Sequence, residues 1–228
     1  MSDPKQGVNY QELVFIDVET SGLDSKQHEI IQVAAKHMPS GDELNLLLKF
    51  DESKASPEAL KINHYEKLTW DQCGISQKEG IFQLGQFLSS HGSLSKQAKS
   101  GRFYFVAALC GYNIQAFDRF FLIDSFNREK VFFPGDYRMY DIYALALWMM
   151  PGLEAYNLES IRKTLDLPVR QAHDAIGDVH MTLDIFCTLM KDDPDSQIFD
   201  VPEWVTKRLR EIKATKKHQE LNGFELPF

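Results

Sequence analysis

The spacing of apolar residues predicts an ordered series of strands and helices. Runs rich in Val, Ile, Leu and Phe predict strands at residues 12–20, 29–38, 43–50 and 103–110. Helical spacing and capping signals predict helices at residues 56–60, 76–92, 115–129, 140–150, 157–165, 175–190 and about 202–217, with a polar loop at 93–101. Because three closely linked strands precede alternating helices and strands, the order predicts an antiparallel meander that continues into one α/β domain with a mixed sheet.

Composition narrows the class of protein. The 228 residues are 43% hydrophobic and 25% charged, which is typical of a globular chain. No secretory signal or run of about 18 apolar residues is evident, and three scattered cysteines indicate a reducing compartment, so we expect a cytoplasmic protein. We divide the chain into an N-terminal arm (1–11), a main domain (12–191) and a helical C-terminal extension (192–228).

The net charge of −8 disfavours a protein that holds nucleic acid by bulk electrostatics, because such binding needs a basic surface. It does not exclude an enzyme that binds phosphate through metal ions, since carboxylates gathered around cations count as negative in a sequence sum.

Two acidic residues interrupt the most apolar strand. Asp17 and Glu19 are two positions apart, so their side chains lie on the same side of the strand. Two carboxylates held together on a buried strand repel each other, and a divalent cation would relieve that repulsion. The alternative is a strand end at which both side chains reach solvent.

Three further residues lie where helices are predicted. Asp118 follows a strand and shares a helical face with apolar residues, Asp178 is on the inward face of the helix at 175–190, and His173 precedes that helix. Each has an ordinary alternative, since acids favour the first turn of a helix and most single histidines are surface residues. The other six histidines have no comparable setting, and we expect them to be surface or core residues.

A single site would explain these residues together. Carboxylate oxygens without thiolates select Mg²⁺ or Mn²⁺, and two such ions about 4 Å apart can stabilise the attacking and leaving oxygens of a phosphodiester. A histidine whose pKa lies near neutrality can take the proton of the attacking water.

Three segments carry a family resemblance: FIDVETSGLD at 15–24, GYNIQAFDRFFL at 111–122 and HDAIGDV at 173–179. In this order they resemble the signatures of the DEDDh 3′→5′ exonucleases. The segment ALKINHYEKLT at 59–69 resembles the short helix that lies beside the substrate terminus in this family. The resemblance covers residues 12–191 and implies a ribonuclease H-like α/β fold.

The resemblance also implies roles for individual residues. Two Mg²⁺ or Mn²⁺ ions would be held by Asp17, Glu19, Asp118 and Asp178, with Asp17 shared, and His173 would be the general base. The substrate side would be formed by Thr20, Gly22, Leu23, Asn113 and Phe117.

The implied activity is hydrolysis at the 3′ end of nucleic acid, with single-stranded DNA as the first choice of substrate and release of nucleoside 5′-monophosphates. Alternatives are an exoribonuclease that trims RNA, a polymerase proofreading subunit, or a catalytically silent nucleic-acid-binding or scaffold protein. A protein partner is possible and is not identified by the sequence. Ser21, Tyr112 and Asp174 depart from the family pattern, which bears on substrate affinity and choice.

Overall fold

A computed structural model describes residues 12–170 and 173–190. Within them the strands are β1 (Leu13–Thr20), β2 (Ile30–His37), β3 (Glu43–Leu47), β4 (Leu94–Gln97), β5 (Phe103–Val106), β6 (Ala108–Gly111) and β7 (Tyr140–Asp141). The helices are α1 (Pro57–Ile62), α2 (Lys67–Cys73), α3 (Gln77–Ser90), α4 (Asp118–Arg128), α5 (Ile142–Met149), α6 (Leu158–Thr164) and α7 (Ala175–Met190). None of these helices is long and apolar enough to cross a membrane.

The main sheet has five strands in the order β3-β2-β1-β6-β7. The meander β1-β2-β3 is antiparallel, whereas β1 pairs with β6, and β6 with β7, in parallel. The predicted mixed sheet with its antiparallel meander is therefore confirmed. The carboxyl ends of β1, β6 and β7 meet at one edge of the sheet, where α/β proteins place their sites.

Helices cover both faces of the sheet, and β1 supplies side chains to both. Val14, Ile16 and Val18 pack with α3 and α4, while Leu13 and Phe15 pack with α5, α6 and α7. Because strand side chains alternate, Asp17 and Glu19 continue the row of Leu13 and Phe15. The second face therefore changes from apolar to acidic toward the end of β1, beside the N-terminus of α7.

The prediction of a single strand at 103–110 is wrong, because this range contains two strands, β5 and β6. Phe103, Tyr104 and Phe105 are exposed, and β5 pairs with β4 in a separate two-stranded sheet formed partly from the predicted loop at 93–101. At Ala107 the chain changes partner, donating its N–H to the carbonyl of Pro134 at 2.8 Å. Only β6, which follows, enters the main sheet, so the run of apolar residues spans two elements.

Other boundaries also differ from the predictions. The predicted helix at 115–129 begins only at Asp118, the predicted helix at 140–150 starts with the two residues of β7, and α2 was not predicted. The N-terminal arm (1–11) and the C-terminal extension with its predicted helix lie outside the described residues.

Candidate active site

Asp17 and Glu19 lie near the end of β1, where the ladder to β2 is irregular. The register between β1 and β2 shifts between Glu19 and Thr20. Glu19 is buried and Asp17 partly buried, so the alternative of two solvent-exposed carboxylates is not what the structure has. Both side chains are on the sheet face that α7 covers.

Asp118 is the first residue of α4 and is buried, with 4% of its surface exposed. The ladder between β1 and β6 ends at the pair Phe15–Cys110, so β6 supplies no further partners to β1. Asp118 takes over that role, because its Oδ1 accepts a hydrogen bond from the Val18 N–H at 3.1 Å. This bond places the Asp118 carboxylate against the β1 backbone between Asp17 and Glu19.

Asp178 and His173 come from the N-terminal end of α7. The backbone N–H of His173 donates to Oδ2 of Asp178 at 3.2 Å, and His173 has a left-handed φ of 56°. One ligand atom from each of Glu19, His173 and Asp178 lies within 4.8 Å of the others. Two elements that are distant in sequence, β1 and the start of α7, thus converge, and His173 lies close enough to the carboxylates to contact a shared ligand.

The electrostatics of this cluster are those of a cation site. Burial and the neighbouring carboxylates raise the pKa of Glu19 to about 8 and that of Asp17 well above its usual range. Burial also raises the pKa of Asp118 to about 7 and of Asp178 to about 6. Carboxylates hold their protons so strongly when no positive charge compensates their burial and mutual repulsion.

The donor set fits a hard divalent cation. Asp17, Glu19, Asp118 and Asp178 offer carboxylate oxygens, the ligands that Mg²⁺ and Mn²⁺ prefer, and the cluster of Glu19, His173 and Asp178 adds an imidazole nitrogen. A bound cation would favour the ionised carboxylates and remove the repulsion that raises their pKa values.

The turn after β1 is shaped by close packing. The Thr20 hydroxyl donates to the Gly22 carbonyl at 2.7 Å, and a Cβ added to Gly22 would lie 2.3 Å from the His28 ring. A side chain at position 22 would therefore collide with the His28 ring unless one of them moved. Leu23 follows with 84% of its surface exposed, so an apolar side chain projects beside the carboxylates.

Asn113 and Phe117 lie in the loop between β6 and α4. Leu23 and Phe117 line one cavity of about 230 Å³ together with Phe120, and Phe117 packs on Phe121 with ring centroids 5.0 Å apart. Asn113 has a left-handed φ of 55°. The two predicted substrate segments therefore meet beside the carboxylates.

Sequence reasoning missed Asp141, which holds this loop. Its half-buried carboxylate accepts the backbone N–H of Asn113 at 2.9 Å, of Gln115 at 3.2 Å and, as the N-cap of α5, of Tyr143 at 3.0 Å. Burial raises the pKa of Asp141 to about 6. The signal was present in the sequence as an acid that precedes the apolar helix at 142–149.

His64 was expected to be an ordinary histidine, but it lines a groove next to the cluster. The groove has a volume of about 580 Å³ and also contains His173, Asp174, Gln32, Asn45 and Trp70. The resemblance of residues 59–69 to the helix beside the substrate terminus indicated this segment but no role for His64, because the groove is formed by β2, β3, the α1–α2 segment and the start of α7.

The residues that depart from the family pattern have internal partners. Ser21 accepts the Glu29 N–H at 2.9 Å through its hydroxyl, and the Tyr112 hydroxyl donates to the carbonyl of Tyr156. Asp174 accepts a hydrogen bond from Gln32 at 2.8 Å. All three therefore stabilise the surroundings of the site, and Asp174 adds a negative charge at its edge.

Comparisons with known proteins agree with this picture. No family model matches the chain. A ribonuclease T of Haemophilus influenzae strain PittEE is 26% identical over 190 residues, which is 78% of each chain, and that of strain Rd is 25% identical over 221 residues, which is 91% of this chain and 90% of the other.

The structural neighbours include two exonucleases I. The Escherichia coli enzyme in a zinc-bound complex with single-stranded DNA superposes with a TM-score of 0.66 at 20% identity, over 82% of this chain and 42% of the other. The enzyme of Methylocaldum szegediense gives 0.62 at 21% identity, with the same coverage. This chain thus spans less than half the length of the exonucleases I. The ribonuclease H-like fold is confirmed, and so is the resemblance to the DEDDh 3′→5′ exonucleases that the three motifs predicted.

Proposed function

We propose that this protein is a metal-dependent 3′→5′ exonuclease that acts on single-stranded nucleic acid and releases nucleoside 5′-monophosphates. The observation that carries the proposal is the convergence of four acidic residues and His173 from β1, α4 and α7 on one edge of the sheet. The similarity to ribonuclease T and the fold of exonuclease I support the same reaction class.

Asp17, Glu19, Asp118 and Asp178 would hold two Mg²⁺ or Mn²⁺ ions, with Asp17 as the shared ligand. When bound, these ions supply positive charge that offsets the charge of the reacting phosphate and favours loss of a proton from the attacking water. The protein fixes its ligands by the β1 backbone, the Val18–Asp118 hydrogen bond and the α7 N-terminus.

His173 would act as the general base. Burial, and secondarily His64, lowers its pKa below the usual range, so the imidazole is neutral at pH 7 and can accept a proton. Water then forms a bond to phosphorus as the bond from phosphorus to the O3′ of the penultimate nucleotide breaks. His173 takes the proton of the water, and the leaving O3′ receives a proton from solvent.

Substrate recognition would use the two segments that meet beside the carboxylates. The exposed Leu23 and the cavity shared with Phe117 can receive a terminal nucleotide, while the backbone of Thr20, Gly22 and Asn113 sets the shape of that entrance. A terminal nucleotide must leave its partner to enter, so pairing and stacking in a duplex oppose binding. We therefore infer a preference for single-stranded 3′ ends.

The polynucleotide is the point on which the comparisons differ. The structural neighbours include exonuclease I bound to DNA oligonucleotides, whereas the sequence relatives are named ribonuclease T. We favour DNA, with RNA trimming as the second candidate.

The described cysteines, Cys73, Cys110 and Cys187, are free, in keeping with the reducing cytoplasm as the proposed location.

A degradation assay tests the proposal. Matched DNA and RNA oligonucleotides labelled at the 5′ end, single-stranded or paired, are incubated with and without Mg²⁺ at one salt concentration. We expect a ladder that shortens from the 3′ end only with the metal, and faster loss of the single strands. Faster cleavage of RNA would favour the second candidate, and binding without cleavage would favour a silent nucleic-acid-binding protein.

A further inference from the structure

The groove beside His173 has walls from two parts of the chain. Gln32 and Asn45 lie on β2 and β3, on the sheet face that also carries Glu19, because Gln32 is the ladder partner of Glu19. The segment between α1 and α2 supplies His64 opposite the start of α7, which supplies His173 and Asp174. The groove therefore continues from the carboxylate cluster toward β3, away from the cavity of Leu23 and Phe117.

His64 occupies a backbone position that usually belongs to glycine. It follows the C-cap residue Asn63 of α1 with a left-handed φ of 50°. The Tyr65 N–H donates to the Leu60 carbonyl at 2.9 Å and the His64 N–H to the Lys61 carbonyl at 3.4 Å, which are the two bonds of a Schellman motif. Glycine adopts this conformation without the steric cost that a Cβ brings.

The position of His64 is fixed relative to the catalytic strand. Asn63 is buried and donates from its side-chain Nδ2 to the Thr20 carbonyl at 2.9 Å. The adjacent turn is thereby attached to the end of β1, one residue beyond Glu19. His64 itself is exposed, so its imidazole is available to a ligand in the groove.

The described lining of the groove holds few side chains that could bind a phosphate. Among the residues that the structure describes, its lining includes the acids Glu66 and Asp174 and no lysine or arginine, and its imidazoles are those of His64 and His173. His64 lies near enough to His173 to lower its pKa. With His173 engaged at the carboxylates, His64 is the other described imidazole of the groove, and an imidazole can donate a hydrogen bond to an anion.

The geometry of in-line displacement indicates which part of the substrate reaches the groove. The attacking water and the leaving O3′ lie on opposite sides of the phosphorus. Because His173 would accept the proton of the water, the penultimate nucleotide lies on the side away from His173. The attacked phosphorus belongs to the phosphate of the nucleotide that is released, so this phosphate lies next to the water, on the His173 side of the leaving O3′.

We propose that His64 is a substrate-contacting residue that donates a hydrogen bond to the phosphate of the released nucleoside 5′-monophosphate. The proposal rests on the exonuclease function proposed above and assigns a role within that same site. The contact strengthens product binding and holds the terminal phosphate during the reaction. It requires a donor at position 64 in a backbone conformation that glycine would otherwise favour.

Two substitutions separate the side chain from the backbone. His64→Gly removes the donor and relaxes the backbone, whereas His64→Asn retains a donor in a residue that tolerates the left-handed region. Lys130→Gly is the matched control, because Lys130 has a φ of 57° at the corresponding position after α4 and has the equivalent bonds from Val131 to Phe126 and from Lys130 to Asn127.

The measurement is inhibition of the full-length enzyme by adenosine and deoxyadenosine 5′-monophosphate, with adenosine as the ligand that lacks phosphate. We expect His64→Gly to weaken inhibition by the monophosphates about three- to tenfold, the range for loss of one hydrogen bond. His64→Asn should recover part of that loss. Inhibition by adenosine and the inhibition constants of Lys130→Gly should match the wild type, and His64→Gly should unfold at an equal or higher temperature.

Equal monophosphate inhibition of His64→Gly and the wild type would overturn the proposal, as would the same weakening in Lys130→Gly. Calorimetric titration with adenosine 5′-monophosphate and Mg²⁺ provides a readout that does not need turnover. A wild-type protein that degrades no oligonucleotide refutes the exonuclease function, whereas an active wild type with an unaltered His64→Gly variant refutes only the role of His64.

Discussion

The carboxylate of Asp118 accepts the backbone N–H of Val18, 100 residues earlier in the chain, at 3.1 Å. This bond attaches the start of α4 to the strand between Asp17 and Glu19, at the point where β6 no longer pairs with β1. One Asp118 oxygen is thereby fixed by the protein. The bond couples the geometry of the site to the end of the sheet.

Metal ions should stabilise the folded protein. Carboxylates that repel each other in the metal-free state gain a counter-charge, and a ligand at about 100 times its Kd adds about 2.7 kcal/mol to the free energy of unfolding. For a chain of this size the unfolding midpoint should rise by about 5–10 °C in Mg²⁺ or Mn²⁺, as measured by calorimetry. Asp178→Ala should respond less. Unchanged unfolding and activity after chelation would contradict the metal site.

The metal-free protein should lose stability as the pH rises from about 4 to about 8. The folded-state pKa values of Glu19 (about 8), Asp118 (about 7) and Asp178 (about 6) exceed their ordinary values. In this window the folded state therefore holds more protons than the unfolded state, and stability present at low pH disappears as these groups ionise.

Urea unfolding at several pH values in a chelator measures this effect. The side chain of Glu19→Gln cannot ionise. The unfolding free energy of this variant should therefore fall less steeply between pH 6 and 8, because its folded state releases about one proton fewer than the wild type in this range. Mg²⁺ should stabilise the wild type more at pH 8 than at pH 6, because cation and proton compete for the same oxygens. A wild type and variant with parallel pH profiles would show that Glu19 does not titrate in this way.

Asp17→Ala and His173→Ala should lose activity for different reasons. Loss of Asp17 removes a shared ligand, so metal affinity and turnover should both collapse. Loss of His173 removes the base, and turnover should fall by about 10²–10⁴-fold while metal still binds. Calorimetry gives the metal affinity and product release gives the rate. A His173→Ala variant that no longer binds metal would identify the imidazole as a ligand, and one with full activity at pH 7 would remove it from the mechanism.

Asp141→Ala should weaken substrate binding through the loop that contains Asn113. The substitution leaves three backbone N–H groups without their acceptor, and the loss of a hydrogen bond costs about 0.5–1.5 kcal/mol. We expect a lower unfolding free energy and a raised KM with metal affinity retained. Asp136→Ala is the control, since Asp136 also accepts hydrogen bonds, from Lys96 and the Arg138 N–H, and is buried at the opposite end of β6. A KM that rises equally in both variants would indicate general destabilisation.

Gly22→Ala should reduce activity because the new Cβ would lie 2.3 Å from the His28 ring. Either the His28 ring or the turn must then shift, and a shift of the turn would carry Leu23 away from its position. Replacing His28 with alanine in the same chain should restore space, so the double variant should regain most of the lost kcat/KM. A double variant as impaired as Gly22→Ala would show that the crowding lies elsewhere.

Local patterns in the sequence determined the chemistry of the candidate site. Alternation along β1 placed Asp17 and Glu19 on one side of a buried strand, and helical periodicity placed Asp178 toward the core. These inferences depend only on the strand repeat of two and the helix repeat of about 3.6 residues, so no tertiary information was required. The order of three motifs then indicated the family and, with it, the fold class.

The tertiary structure decided which residues support that chemistry. Asp141 binds the Asn113 backbone 28 residues earlier in the chain, and His64 shares a groove with His173, which is 109 residues later. The periodicity of a local segment does not specify such contacts. The division of residues 103–110 into β5 and β6 also depends on distant partners. β5 pairs with β4, Ala107 bonds to the carbonyl of Pro134, and the next strand, β6, pairs within the main sheet. Sequence determined which side chains could bind a cation, since that depends on local chemistry. Only the packing of distant segments determined what surrounds them, since that depends on partners that one stretch of chain cannot specify.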